Sequence, residues 1–178
     1  KNKNNQIGYH NRFIGTFNMA KQLIDDNLIG NIYHFTGQAF GPVVTKPKVD
    51  TWRSNPNEGG GCLLDYASHV INLIQYFVGS PQDVRGTILK KIFSNNVEDA
   101  VYSNFLYKDG LSGNIMVNWS EETYRKMMTK IEILGTEGKI VVDAQECQLY
   151  LKNDPNISDL KKGWNSFWLT DQTNPVWF

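Results

Sequence analysis

Apolar residues at positions 17, 20, 23, 24 and 28 recur at helical spacing, so residues 16–28 are predicted to form an amphipathic helix. Thr16 is placed to cap its start, and Gly30 lies just past its end. Residues 31–40 are dense in β-branched and aromatic side chains and read as a strand. Residues 41–58 carry three of the six prolines and read as a long loop. Gly59-Gly60-Gly61 opens a second helix over residues 62–78, which stops at Gly79-Ser80-Pro81. The rhythm then changes to six strands, over residues 84–93, 100–107, 111–119, 128–134, 139–143 and 147–151. Lys108-Asp109-Gly110 and Gly135-Thr136-Glu137-Gly138 are tight links, and short links force antiparallel pairing. The expected fold is therefore α+β, a large and mainly antiparallel open sheet with helices on one face. From Lys152 onward the chain reads as loop. Residues 1–178 form one domain, and the polar start before Ile7 and the apolar end at Trp177-Phe178 suggest a fragment of a longer chain.

The second helix is the most informative segment. At 100° per residue, Leu63, Leu64, Ala67, Val70, Ile71, Ile74, Phe77 and Val78 cluster as the buried face. Asp65, His69, Asn72 and Tyr76 form a separate polar stripe. It is either a solvated face or the wall of a cavity; this helix has no Lys, Arg or Glu, which solvated faces usually carry. Asp65 and His69 stand one turn apart, so their side chains can meet. Such a pair can move a proton to or from a substrate hydroxyl. The pair could also supply two metal ligands, but a third is not apparent, and His10 and His34 lie in unrelated contexts. The triple glycine either presents N–H groups to an anion or permits close backbone packing. It is neither a dinucleotide fingerprint nor a phosphate loop. Arg12 and Arg53 are candidates to hold an anionic or polyhydroxyl ligand, against the alternative of structural ion pairs. Trp119 and Tyr124 could stack on a sugar ring or pack in the core, and Cys62 reads as a small helix residue rather than a nucleophile.

Composition narrows the classes. The 178 residues hold 18 Lys+Arg and 18 Asp+Glu, a net charge of zero, where a mainly electrostatic nucleic-acid binder needs a basic surplus. No apolar run approaches the roughly 20 residues of a membrane helix. Two cysteines are too few for a disulfide scaffold and point to a reducing, cytoplasmic setting. The sequons at Asn118 and Asn156 read as chance matches.

The run Gly59-Gly60-Gly61-Cys62-Leu63-Leu64-Asp65-Tyr66-Ala67-Ser68-His69 resembles the motif of the Gfo/Idh/MocA oxidoreductases: three glycines, then Asp, then His four residues on. Gly8-Tyr9-His10-Asn11-Arg12-Phe13 resembles the strand joining that family's two domains, and Leu28-Ile29-Gly30-Asn31-Ile32 its helix exit. Trp52-Arg53 lies upstream of the glycines as is usual there, and residues 133–140 resemble its late hairpin. The resemblance implies the substrate-binding and oligomerisation domain of such an enzyme, with a glyceraldehyde-3-phosphate dehydrogenase-like C-terminal fold. It implies NAD or NADP bound by an N-terminal Rossmann domain absent from this chain, whose Glu-Lys-Pro lysine is absent too. It also implies hydride transfer at a hydroxyl-bearing carbon of a sugar, cyclitol or nucleotide sugar. By resemblance His69 and Asp65 are the catalytic pair and Asn72, Arg12, Arg53 and Tyr9 contact substrate. A homodimer or tetramer through the open sheet face is expected, with Ile115, Val117 and Trp119 as candidate contacts. The isolated chain is expected to be inactive. The competing expectations are a non-catalytic sugar-binding or assembly module and a metal-dependent isomerase or hydrolase.

Overall fold

The computed structural model describes residues 7–47 and 51–172. The readings made for residues 1–6 and for Trp177-Phe178 lie outside the described residues. Helix α1 (Gly15–Asp25) buries Phe17, Ala20 and Leu23. It ends three residues before Leu28, because Asn27 turns left-handed (φ 57°) and the Leu28 N–H closes back on the Leu23 carbonyl. Thr16 is not its cap. The Thr16 hydroxyl donates instead to the Asp143 carbonyl at 2.6 Å, tying the helix to the sheet.

Strand β1 (Ile32–Phe40) follows, and then the long loop, which winds into two short 3₁₀ turns, Trp52–Ser54 and Pro56–Glu58. Helix α2 (Ser68–Val78) is preceded by a π-helical turn, Leu63–Ala67. The strands after it are β2 (Asp83–Lys90), β3 (Ala100–Leu106), β4 (Ser112–Asn118), β5 (Met128–Gly135), β6 (Gly138–Asp143) and β7 (Glu146–Leu151). The tail is not all loop: β8 (Gly163–Trp168) adds an edge strand, and a short helix α3 (Leu169–Gln172) follows.

The eight strands form one sheet in the order β2-β3-β4-β1-β5-β6-β7-β8. Every neighbouring pair is antiparallel except β1 with β4, which run parallel with Gly37 opposite Ile115. The α+β class, with helices on one face of an open sheet, is thus the architecture observed.

Alternation along the strands decides the two faces. Phe35, Gly37 and Ala39 of β1 point at the helices, and a Cβ on Gly37 would lie 2.6 Å from Val70 and 3.0 Å from Ile74. The glycine therefore lets α2 rest directly on the middle of the sheet, which fixes where the Asp65–His69 segment sits. Ile115, Val117 and Trp119, expected at a subunit interface, belong to this inner face and are at most 1% exposed. The sheet's other face carries Thr36, Asn114 and Glu132 on the same strands, all half-buried.

The π turn overturns part of the predicted helix face. The Ala67 N–H bonds the Cys62 carbonyl, five residues back, so one extra residue enters the turn. Leu64 swings out to 59% exposure, and Tyr66 takes the buried position at 4%. Leu73 joins the core, while Val70, Ile74 and Phe77 are buried as the spacing predicted.

Candidate active site

The loop before α2 is built to deliver Arg53 to Asp65. Asn55 caps the second 3₁₀ turn by accepting from the Asn57 N–H, and Gly59 leaves that turn in the left-handed region (φ 82°). The chain then doubles back on itself. The Gly60 N–H donates to the Asn55 carbonyl at 2.9 Å and the Gly61 N–H to the Arg53 carbonyl at 3.1 Å. Gly60 packs so closely on the carbonyls of Trp52 and Arg53 that a side chain there has no room. The Gly59 N–H is also taken, by the Pro56 carbonyl. Of the two readings of the triple glycine, close packing is the one observed, and no free N–H cradle is left for a phosphate or a dinucleotide pyrophosphate.

The Arg53 Nε donates to Asp65 Oδ2 at 3.0 Å, and its guanidinium lies 4.5 Å from the Trp52 ring centre. Among the described residues no hydrogen bond joins Asp65 to His69; Asp65 turns to Arg53 instead. His69 sits one turn on, its ring edge-on to Tyr9 (5.6 Å) and tilted against His10 (5.5 Å). Its Nδ1 is buried without a hydrogen-bond partner. Burial lowers its pKa below the ordinary 6.5, and the nearby His10 pushes the same way while Asp65 opposes. The imidazole is thereby held neutral at neutral pH, in the form that can accept a proton. His10, set aside as unrelated from the sequence, is thus part of this cluster. His34 is not: it lies on the far face of the sheet against Ser112 and Asn114.

Arg12 and Asn72 are brought together. The Arg12 Nε donates to Asn72 Oδ1 at 2.6 Å and a second guanidinium nitrogen to the Asn72 carbonyl at 3.1 Å. The guanidinium also lies 5.3 Å from the Tyr76 ring centre, whose hydroxyl donates to Asn18. This clamp fixes the 3₁₀ turn His10–Phe13 to α2 and so places Tyr9 and His10 over His69. Trp119 is fully buried and donates its indole N–H to Asp99 at 2.7 Å, so it is no sugar platform. Tyr124 stacks on Phe40. Cys62 is buried, and burial pushes its thiol pKa far up, away from nucleophile chemistry. Among the described residues no group of three His, Cys, Asp or Glu side chains is placed to hold a metal ion.

Residues 17–141 match the model of the GFO/IDH/MocA C-terminal domain. The chain belongs to the GFO/IDH/MocA family and carries its C-terminal domain. No curated protein matches it. Its fold is similar to levoglucosan dehydrogenase solved in complex with NADH and levoglucosan, with a TM-score of 0.81 at 22% identity. That match covers 96% of this chain and 50% of that protein. It is also similar to an NAD binding oxidoreductase from Klebsiella pneumoniae (TM-score 0.78, 22% identity, 90% of this chain and 46% of that one). The WlbA dehydrogenase from Bordetella pertussis, in complex with NADH and UDP-GlcNAcA, is a more partial match (TM-score 0.63, 24% identity, 76% and 39%). The chain thus spans about half the length of levoglucosan dehydrogenase and of the Klebsiella pneumoniae oxidoreductase.

Proposed function

We propose that this chain is the substrate-binding half of an oxidoreductase that transfers a hydride between NAD or NADP and a hydroxyl-bearing carbon of a sugar, cyclitol or nucleotide sugar. The observation that carries the reading is His69, a neutral and half-buried imidazole on a rigid helix. In the oxidation direction His69 accepts the substrate hydroxyl proton as the carbon loses hydride. The nicotinamide, when bound, takes that hydride. Asp65, paired with Arg53, offsets the charge that forms on the imidazole and can accept from a neighbouring hydroxyl. Arg12, Asn72 and Tyr9 line the approach to His69 and bind the sugar. The triple glycine cannot seat the cofactor, so the rest of the full-length protein supplies that site. The two buried free cysteines fit a reducing, cytoplasmic setting.

The open sheet face is proposed as the dimer interface. Tyr150, Trp164 and Trp168 stand exposed there on β7 and β8, with Tyr150 and Trp164 in ring contact at 5.3 Å. Large exposed aromatics on one face suit a protein partner.

The test is the full-length protein with NAD+ or NADP+ and a panel of sugars, cyclitols and nucleotide sugars, followed by nicotinamide absorbance. Reduction of the cofactor by the full-length protein and none by the isolated 178 residues is the expected result. Sugar binding without turnover in the full-length protein would make the chain a binding module and remove His69 from catalysis.

A further inference from the structure

We infer that Glu98 is a positioning residue for the proposed Asp65–His69 pair: its carboxylate seats the π turn that sets the angle between them. The inference rests on the reading of those two residues as the chemistry. Glu98 lies just before β3, at the end of the loop from β2, and touches the start of the π turn twice. Its carbonyl accepts from the Cys62 N–H at 2.9 Å and its Oε1 accepts from the Leu63 N–H at 2.8 Å. Those N–H groups belong to the first turn of a helix, where intrahelical acceptors are lacking, and the partial positive charge there favours an anion.

The third glycine explains itself in the same way. Gly61 sits at φ +106°, and a Cβ on it would run into the Glu98 carboxylate. Glycine at this position is therefore space reserved for Glu98. The platform behind Glu98 is rigid. Its neighbour Asp99 is fully buried and accepts from the N–H groups of Ile92, Phe93 and Ser94 at 2.6 to 2.8 Å. It also accepts from the Ser94 hydroxyl and the Trp119 indole. A carboxylate held from a fixed loop thus decides how the helix begins. The five-residue turn that follows points Asp65 at Arg53 while leaving His69 under Tyr9 and His10. Without that seat the turn relaxes toward ordinary α-helix, and Asp65 rotates relative to His69.

The experiment uses the full-length protein with Glu98→Ala, Glu98→Gln and Gly61→Ala. Glu98→Ala is expected to lower kcat by about ten- to a hundredfold, the scale of an ångström-sized misplacement. The sugar KM should move by less than about threefold. Glu98→Gln keeps an oxygen acceptor for the Leu63 N–H and should restore kcat to within about threefold of wild type. Equal losses in the two variants, or wild-type kcat in Glu98→Ala, would overturn the inference. Gly61→Ala should cost melting temperature in both backgrounds, because φ +106° strains any side chain, and less in the Glu98→Ala background, where the collision with the carboxylate is gone; additive losses count against it. Crystal structures of the two Glu98 variants separate this from the parent reading. If the wild-type protein oxidises no sugar, the oxidoreductase assignment fails. Glu98 is then judged by whether the π turn persists in the Gln variant and is lost in the Ala variant.

Discussion

His69 is the residue on which the proposed chemistry turns. Its motif was legible, because an Asp and a His one turn apart on a helix free of lysine, arginine and glutamate stand out at helical spacing. Its surroundings were not. Arg53 reaches Asp65 only because the chain between them doubles back through three glycines, and no periodicity encodes that return. The contact of His10 with His69 depends on the Arg12–Asn72 clamp, which joins positions 60 residues apart. Replacing His69 with Asn in the full-length protein should lower kcat by about 10²–10⁴-fold, the usual loss on removing a general base. Binding of the sugar should change far less, which steady-state kinetics will separate. The pH dependence follows from the depressed pKa of the imidazole. Oxidation needs His69 neutral, so kcat/KM should fall only on an acid limb below the ordinary 6.5 and stay flat through neutrality. Stability moves in the same sense. Between the lowered native value and 6.5 the unfolded chain binds more protons, so this group's contribution fades as pH drops through that window.

Among the elements, helices with regular apolar spacing and strands bounded by turn signals were readable, and irregular ones were not. Strands β1 and β3 to β7 lie within a residue or two of the ranges read from β-branched and aromatic runs bounded by turn signals. The π turn escaped notice because a 100° step assumes an unbroken α-helix; one inserted residue exchanged Leu64 for Tyr66 in the core. Strand β8 was hidden for a different reason. It is an edge strand whose two tryptophans take exposed positions while Gly163, Asn165 and Phe167 take the half-buried ones, so apolar residues do not mark its inner face, and a polar stretch rich in Asn, Asp and Lys precedes it. The contact between α2 and β1 makes its own prediction. A valine at Gly37 would press on Val70 and Ile74, and overpacking of this kind costs about 1–3 kcal/mol. Urea unfolding of Gly37→Val should show that loss with an unchanged slope, whereas wild-type stability would mean that α2 can lift from the sheet at no cost.

For the whole molecule, the class of fold was legible from short links between strands, but the two faces of the sheet were exchanged in one respect. Ile115, Val117 and Trp119 looked like interface residues because they are apolar and consecutive in alternation; the same pattern serves equally for the side that the helices cover. The exposed face with Tyr150, Trp164 and Trp168 is the one proposed for a second subunit. Trp164→Arg in the full-length protein should shift the sedimentation profile from dimer to monomer while leaving the helix content unchanged, and an unchanged profile would place the interface elsewhere. The position of β1 in the sheet carries a consequence for how the chain is made. It is the first of the eight strands to be synthesised, yet both its neighbours, β4 and β5, come more than 70 residues later. The meanders β2-β3-β4 and β5-β6-β7-β8 can each assemble from adjacent segments, but neither can join the other until β1 is inserted between them. Such long-range closure slows folding and leaves two open strand edges on the nascent chain. The central strand is therefore the part of this protein most exposed to mispairing during translation, and the part that chaperones would be expected to shield.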